Sequence, residues 1–368
     1  MQRWRFNYRL FIRKNIVGLL VLALFGISVA AWDNDLTLKT IALAEVMPYT
    51  SVNLDTVKNV HKAEKNVQTK ETDIPTTTNK DTDKEEKENN EPKTIKDNSA
   101  VFVMNDDEKR NYRDINYLKK NFYTVAAITD LQEGDIKPEE FLAMDFSLNT
   151  EEKGPKVLIF HTHSHEGYAD SDMSNGLEDG IIGTGERLKD ILENDYGIET
   201  MHCTQSFDYV DSKMTTTGAY ERMEPVIEQI LKENPSIEIA IDLHRDGVKD
   251  ETVRLVTQIN DKPTAQLMFF NGICRIYDGD RLIKTAGLDS TYINENLAFS
   301  FCMKYAADKL YSGLARKNYI NAYRYSLNML PKSLLVEVGA QTNTKEEAMN
   351  AMEPLAEILY SVINKNNT

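Results

Sequence analysis

The chain has 368 residues, of which 41% are apolar and 27% charged, and a formal net charge of −15. So acidic a chain repels nucleic-acid phosphates, and no nucleic-acid partner is expected. Its three cysteines, Cys203, Cys274 and Cys302, are widely spaced with no CxxC pair; the odd, small number argues against a disulfide framework, with a single bridge between two of them as the alternative to buried thiols.

In chain order, residues 1–15 form a basic leader with Arg3, Arg5, Arg9, Arg13 and Lys14 and no acid. Residues 16–32 then run uncharged for 17 positions, at the short limit for a membrane-spanning helix. The basic flank belongs on the cytoplasmic side, so the remainder is expected outside the membrane. A cleaved signal peptide, with small residues at 29–31, is the rival reading. From 33 to 99 large apolar side chains nearly vanish, and stretches such as DTDKEEKENNEPK have no core to offset the entropy of ordering. This segment is predicted to be a disordered tether.

Ordered patterning resumes near residue 100. A short strand is expected at VFVMN, a helix over 110–122 and an extended run over 122–128. Residues 100–154 thus read as an N-terminal extension, with no chemistry of their own, to a catalytic domain over 155–368. In that domain strands are predicted at 156–160, 199–202, 237–243, 252–259, 266–270 and 334–338. Helices are predicted at 181–194, 217–232, 294–312 and 345–364, each with one apolar face; Phe299 and Tyr305 are expected in the core. Alternating strands and helices of this length imply an α/β domain with a mostly parallel central sheet flanked by helices.

Three of these strands run directly into polar residues. VLIF leads into His161, Thr162 and His163, with His165 and Glu166 just beyond; IEIAIDL leads into His244, Arg245 and Asp246; and SLLV leads into Glu337. In open α/β sheets functional groups gather outside the carboxyl ends of strands. If the three strands are parallel neighbours, His163, Glu166, His244 and Glu337 meet in one pocket. Two histidines and one glutamate form a known catalytic zinc ligand set that leaves a position for water. A buried carboxylate such as Glu337 is then the candidate general base. Arg245 is a candidate for stabilising an oxyanion or binding a substrate carboxylate, and Asp242 or Asp246 for orienting His244. His165 and His202 are assigned no role in the chemistry.

HTHSHEGY, TTGAYERM (216–223), IDLHRDGV and LLVEVGAQTNT, in this order, resemble the stage II sporulation protein P family over residues 155–364. The layout of basic leader, anchor and tether is similar too. The resemblance implies a zinc-dependent N-acetylmuramoyl-L-alanine amidase that cuts the amide between muramic acid and the stem peptide of peptidoglycan, with endopeptidase cutting of cross-links as a further activity. It implies action in septal wall thinning and engulfment, at the membrane of a sporulating cell, with sporulation proteins D and M as partners. Carried over, the metal ligands are His163, Glu166 and His244, and the catalytic acid is Glu337. Glu178 is an alternative carboxylate ligand, and His161 stands between binding the metal and sitting behind it. Two other readings are a metallocarboxypeptidase, with Arg245 or Arg254 gripping a terminal carboxylate, and a non-catalytic wall-binding module on a membrane stalk.

Overall fold

The computed structural model describes residues 99–288 and 291–365. The expected leader, the anchor at 16–32 and all but the end of the tether lie outside them. Among the described residues no helix is long and apolar enough to cross a membrane.

The helix expected over 110–122 is two, α1 (Asp106–Tyr112) and α2 (Ile115–Asn121). Asp114 divides them, because its carboxylate accepts the Asn116 N–H (2.9 Å) and so starts a new helix. The expected VFVMN strand does not form. A 3-10 turn occupies Ser99–Phe102 and Val103 is 67% exposed. The chain continues through β1 (Tyr123–Val125), α3 (Pro138–Ala143), β2 (Val157–Phe160), α4 (Ile181–Asn194) and β3 (Thr200–His202). A small hairpin of β4 (Tyr209–Val210) and β5 (Lys213–Met214) precedes α5 (Ala219–Glu233) and β6 (Ile239–Asp246). Then come the hairpin β7 (Val256–Ile259) and β8 (Lys262–Ala265), β9 (Leu267–Gly272), and the hairpin β10 (Arg275–Asp278) and β11 (Arg281–Lys284). The last elements are α6 (Ile293–Leu310), β12 (Asn318–Asn321), β13 (Ser333–Ala340), α7 (Lys345–Asn350) and α8 (Met352–Ile363). One helix was expected across the last two. Pro354 sets the break, since its ring would clash with the carbonyl four residues back, that of Asn350, were the helix continuous.

Seven strands form the central sheet in the order β1-β12-β9-β13-β6-β2-β3. Every neighbouring pair is parallel except β9 and β13. The mostly parallel α/β sheet is therefore present, but it is built of two oppositely directed halves. In one half β13, β6, β2 and β3 run together; β9, β12 and β1 run the other way. Residues 100–154 are part of this body: β1 is an edge strand, and Phe122, Tyr123 and Phe141 lie in the main core.

Side chains alternate across a strand, and here the alternation separates packing from chemistry. On β6, Ile239, Ile241 and Leu243 enter the main core with α4, α6 and α8, as do Leu334, Val336 and Val338 of β13. Each such buried side chain contributes about 1.5–3 kcal/mol. The opposite face carries a smaller core, in which Leu158, Phe160 and Ala240 meet Met223 and Ile227 of α5. Asp242, His244 and Asp246 follow Ala240 on that face at intervals of two. Glu337 is the register partner of His244 on the parallel neighbour β13, so the two side chains stand side by side on the α5 face.

The β13 register shifts between Glu337 and Ala340, and Gly339 makes the shift with φ +60°. A Cβ there would lie 2.7 Å from Asn343 Oδ1. Gly339→Ala is expected to destabilise the fold by at least about 1–2 kcal/mol, the cost of left-handed backbone with a Cβ. The denaturation midpoint measures it, and an unchanged midpoint would contradict the close contact.

Candidate active site

The site begins where β2 ends. Asp242, fully buried on β6, accepts the Thr162 N–H (2.9 Å) and the Thr162 hydroxyl (2.6 Å), which fixes the path of the chain leaving β2. The same carboxylate faces His244 Nε2 at 2.7 Å. Burial works against its charge, but His244 beside it brings the Asp242 carboxyl down to about 2. The reciprocal pull of Asp242 and Glu166 overcomes burial and raises His244 well above its usual range. With Nε2 on Asp242, the other ring nitrogen, Nδ1, is turned into the cleft.

Glu166 reaches the same place from the loop after β2. Its Oε2 accepts the Arg245 N–H (2.9 Å) and lies 3.4 Å from His244 Nδ1. Its carbonyl accepts the Ile181 N–H (2.9 Å), which ties the loop to the start of α4. The rings of His163 and His244 are 5.4 Å apart at 75°. Glu337 is 2% exposed. Burial, with the Asp246 and Glu166 carboxylates nearby, pushes it up to about 8. The structure thus brings His163, Glu166, His244 and Glu337 together. Glu178 lies on an exposed 3-10 turn, Leu177–Asp179.

Three buried polar atoms here have no hydrogen-bond partner: His163 Nδ1, His244 Nδ1 and Glu337 Oε2. Leaving such atoms unmet is costly. Two imidazole nitrogens beside a carboxylate are a donor set that suits zinc, so the residues fit such an ion. Among the described residues no three His, Cys, Asp or Glu side chains are grouped closely enough to hold a metal ion as they stand; His244 is engaged by Asp242 at 2.7 Å and Glu166 at 3.4 Å.

His161 turns to the other face of the sheet. Its Nδ1 donates to the Leu243 carbonyl (2.8 Å) and its Nε2 meets His202 Nε2 (2.8 Å), while His202 Nδ1 faces Glu186 (2.7 Å). If His161 Nδ1 donates, its Nε2 must accept. His202 then carries both ring protons whenever all three contacts stand, balanced by Glu186. Burial opposes that charge and pushes the His202 pKa down. His165 also lies apart: Nδ1 faces Asp208 (2.7 Å) and its ring stacks on Tyr209.

Arg245 uses its guanidinium on the backbone, donating to the carbonyls of Gly167 (3.0 Å) and Asp246 (3.3 Å). Asp246 pairs instead with Arg316 at 2.6 Å. Arg254 is bound to Glu347. Gln341 holds both the N–H and the carbonyl of Val248, Thr342 holds the Val253 carbonyl and Asn343 the Leu255 carbonyl, so these three side chains fix the loop after β6. Arg316 and Tyr220, whose ring is 5.8 Å from that of His163, are site neighbours that the strand-end pattern could not supply, because neither follows a strand of the site.

The fold and site define a mixed α/β protein with a histidine–carboxylate centre at the carboxyl ends of parallel strands. The family model of "Stage II sporulation protein P (SpoIIP)" matches residues 37–360, and the chain belongs to that family. It is 24% identical over 221 residues to the stage II sporulation protein P of Bacillus subtilis (strain 168), covering 55% of this chain and 49% of the relative. The chain thus spans about half the length of the relative it matches. Among solved structures, the CwlD amidase of Clostridioides difficile in complex with the GerS lipoprotein aligns at 14% identity, covering 57% of this chain and 97% of that one, with a TM-score of 0.35. An N-acetylmuramoyl-L-alanine amidase from Clostridium difficile 630 aligns at 13% identity, covering 58% and 96%, with a TM-score of 0.34.

The raised pKa of Glu337 has a measurable sign. In metal-free protein the folded state keeps a proton that the unfolded chain releases above the ordinary glutamate value of 4.5. Stability from this group therefore falls as pH rises from 4.5 and levels off above about 8. Glu337→Gln is expected to be more stable than the wild type at pH 8.5, with the difference closing toward pH 4.5, in denaturant titrations with chelator present.

Proposed function

We propose that the chain is a zinc-dependent N-acetylmuramoyl-L-alanine amidase that cleaves peptidoglycan. The carrying observation is the convergence of His163 Nδ1, His244 Nδ1 and the Glu166 and Glu337 carboxylates in one buried corner, with His163 Nδ1 and Glu337 Oε2 unmatched and His244 Nδ1 met only by Glu166 at 3.4 Å. His163, Glu166 and His244 would hold the ion. When bound, zinc supplies Lewis acidity and makes water a better nucleophile at neutral pH. Glu337 takes the proton of the attacking water and delivers it to the nitrogen of the leaving stem peptide. A carboxyl with a pKa near neutrality suits both transfers. Asp242 orients His244 and keeps its Nδ1 toward the cleft.

Membership of the family supports a role in the wall remodelling of sporulation. On this reading residues 16–32 anchor the chain in the cell membrane, residues 33–99 tether it, and 100–368 work outside on the septal wall, alongside sporulation proteins D and M. A carboxypeptidase needs a guanidinium available for a terminal carboxylate. Arg245 is engaged by backbone carbonyls and Arg254 by Glu347, which weighs against that reading.

Two measurements test the proposal. Zinc added to chelated protein is expected to raise the melting temperature of the wild type, since a ligand of the folded state stabilises it, and to leave His163→Ala and His244→Ala unmoved. Purified peptidoglycan digested by the wild type should release stem peptides with free amino termini from intact glycan, identified by mass. Glu337→Gln should keep its zinc and lose roughly 10²–10⁴-fold in rate. Release of single terminal amino acids, or digestion unaffected by these substitutions, would overturn the assignment.

A further inference from the structure

The TTGAYERM motif has no part in the chemistry above, yet the structure builds it with care. It forms the turn into α5. Gly218 takes φ +75°, and Arg222, one helical turn on, donates to the carbonyls of Phe207 (2.7 Å), Thr217 (3.0 Å) and Thr215 (2.7 Å). Ala219 and Met223 are buried beneath it. Between them Tyr220 is half-buried and faces the site. Its ring stands perpendicular to that of His163, with centroids 5.8 Å apart.

The other side of Tyr220 rests on Tyr325, at 5.6 Å and 75°. Tyr325 has φ +55°, a backbone state costly for so bulky a residue and one that persists only where its surroundings fix it. Its ring packs edge-on against Phe270 (4.6 Å) and its hydroxyl accepts from Asn321 (2.7 Å). Tyr220 is therefore located from two sides, while its own hydroxyl has no hydrogen-bond partner among the described residues. Arg245, the donor the sequence offered for a developing oxyanion, is committed to backbone carbonyls.

On the amidase reading given above, we infer that Tyr220 is a further catalytic residue, whose hydroxyl donates a hydrogen bond to the carbonyl oxygen of the scissile amide as that oxygen gains negative charge. A positioned donor of this kind acts where charge develops in the transition state. The ring packs; the hydroxyl does the chemistry.

Steady-state kinetics of the wild type, Tyr220→Phe and Tyr220→His on a soluble muramoyl-peptide, with zinc content and thermal melts recorded for each, test this. Tyr220→Phe is expected to lower kcat by about 10²–10³-fold with KM, zinc content and melting temperature held, and Tyr220→His, which keeps a donor, to recover part of the loss. A Tyr220→Phe enzyme with wild-type kcat, or one changed only in KM, would overturn the inference while leaving the amidase reading intact. Loss of the folded melt in Tyr220→Phe would overturn it as well, because the hydroxyl would then be structural. A wild type that fails to cleave the muramoyl amide would remove both.

Discussion

Everything in the site hangs on the carboxylate of Asp242. One buried group accepts two hydrogen bonds from Thr162 and faces the ring of His244, so it joins the end of β2 to the middle of its neighbour and sets which nitrogen of His244 looks outward. A buried carboxylate is tolerable only when its oxygens are matched, and these are. The loop from His161 to Glu166 then has little choice of path: Thr162 is pinned, His161 is drawn through the sheet to the Leu243 carbonyl, and Glu166 is caught by the Arg245 N–H.

The electrostatics of this corner follow from crowding. Glu166, Asp242, Asp246 and Glu337 are each at most 4% exposed, in a protein already at −15. Against them stand His244, raised by two of these carboxylates, and Arg316 on a third. Glu337 is the carboxyl left without a partner on one oxygen. Burial, with the Asp246 and Glu166 carboxylates nearby, drives it to about 8, and Asp246 is raised as well, whereas Asp242, no less buried, is brought down to about 2 by His244 and the Thr162 hydrogen bonds. The neighbours of each carboxyl, not its depth, separate Glu337 from Asp242.

Much of this is written in local pattern. The strands ending at Phe160, near His244 and around Glu337 are visible because apolar runs stop at polar residues, and parallel neighbours bring such stops together. The strand expected at 237–243 runs on through Asp246, which sets Asp242, His244 and Asp246 on one face; polar side chains at its end hid that continuation. The apolar spacing ran straight through the helix breaks at Asp114 and Pro354, which a capping residue and a proline mark. Other features have no local signature. The reversal between β9 and β13 depends on which strands pair, which hydropathy does not encode. Arg316 finds Asp246 across 70 residues of chain, and Tyr220 meets His163 only because α5 packs over the smaller core. The guanidinium of Arg245 was plausible as a catalytic group by neighbourhood alone; its backbone contacts arise from the turn of the chain at Gly167.

The reversal also decides what surrounds the cleft. Strands β2, β6 and β13 arrive at the end of the sheet that carries the candidate site, so the segments after them carry Glu166 and the Gln341–Asn343 clamp. Strand β12 departs from that same end, so the segment before it, with Arg316, is delivered there as well. The rim is stitched from outgoing and incoming connections at once. Each comes from a different strand pairing, so lengthening or exchanging one can reshape the approach to the cleft without shifting the register that holds His244 beside Glu337.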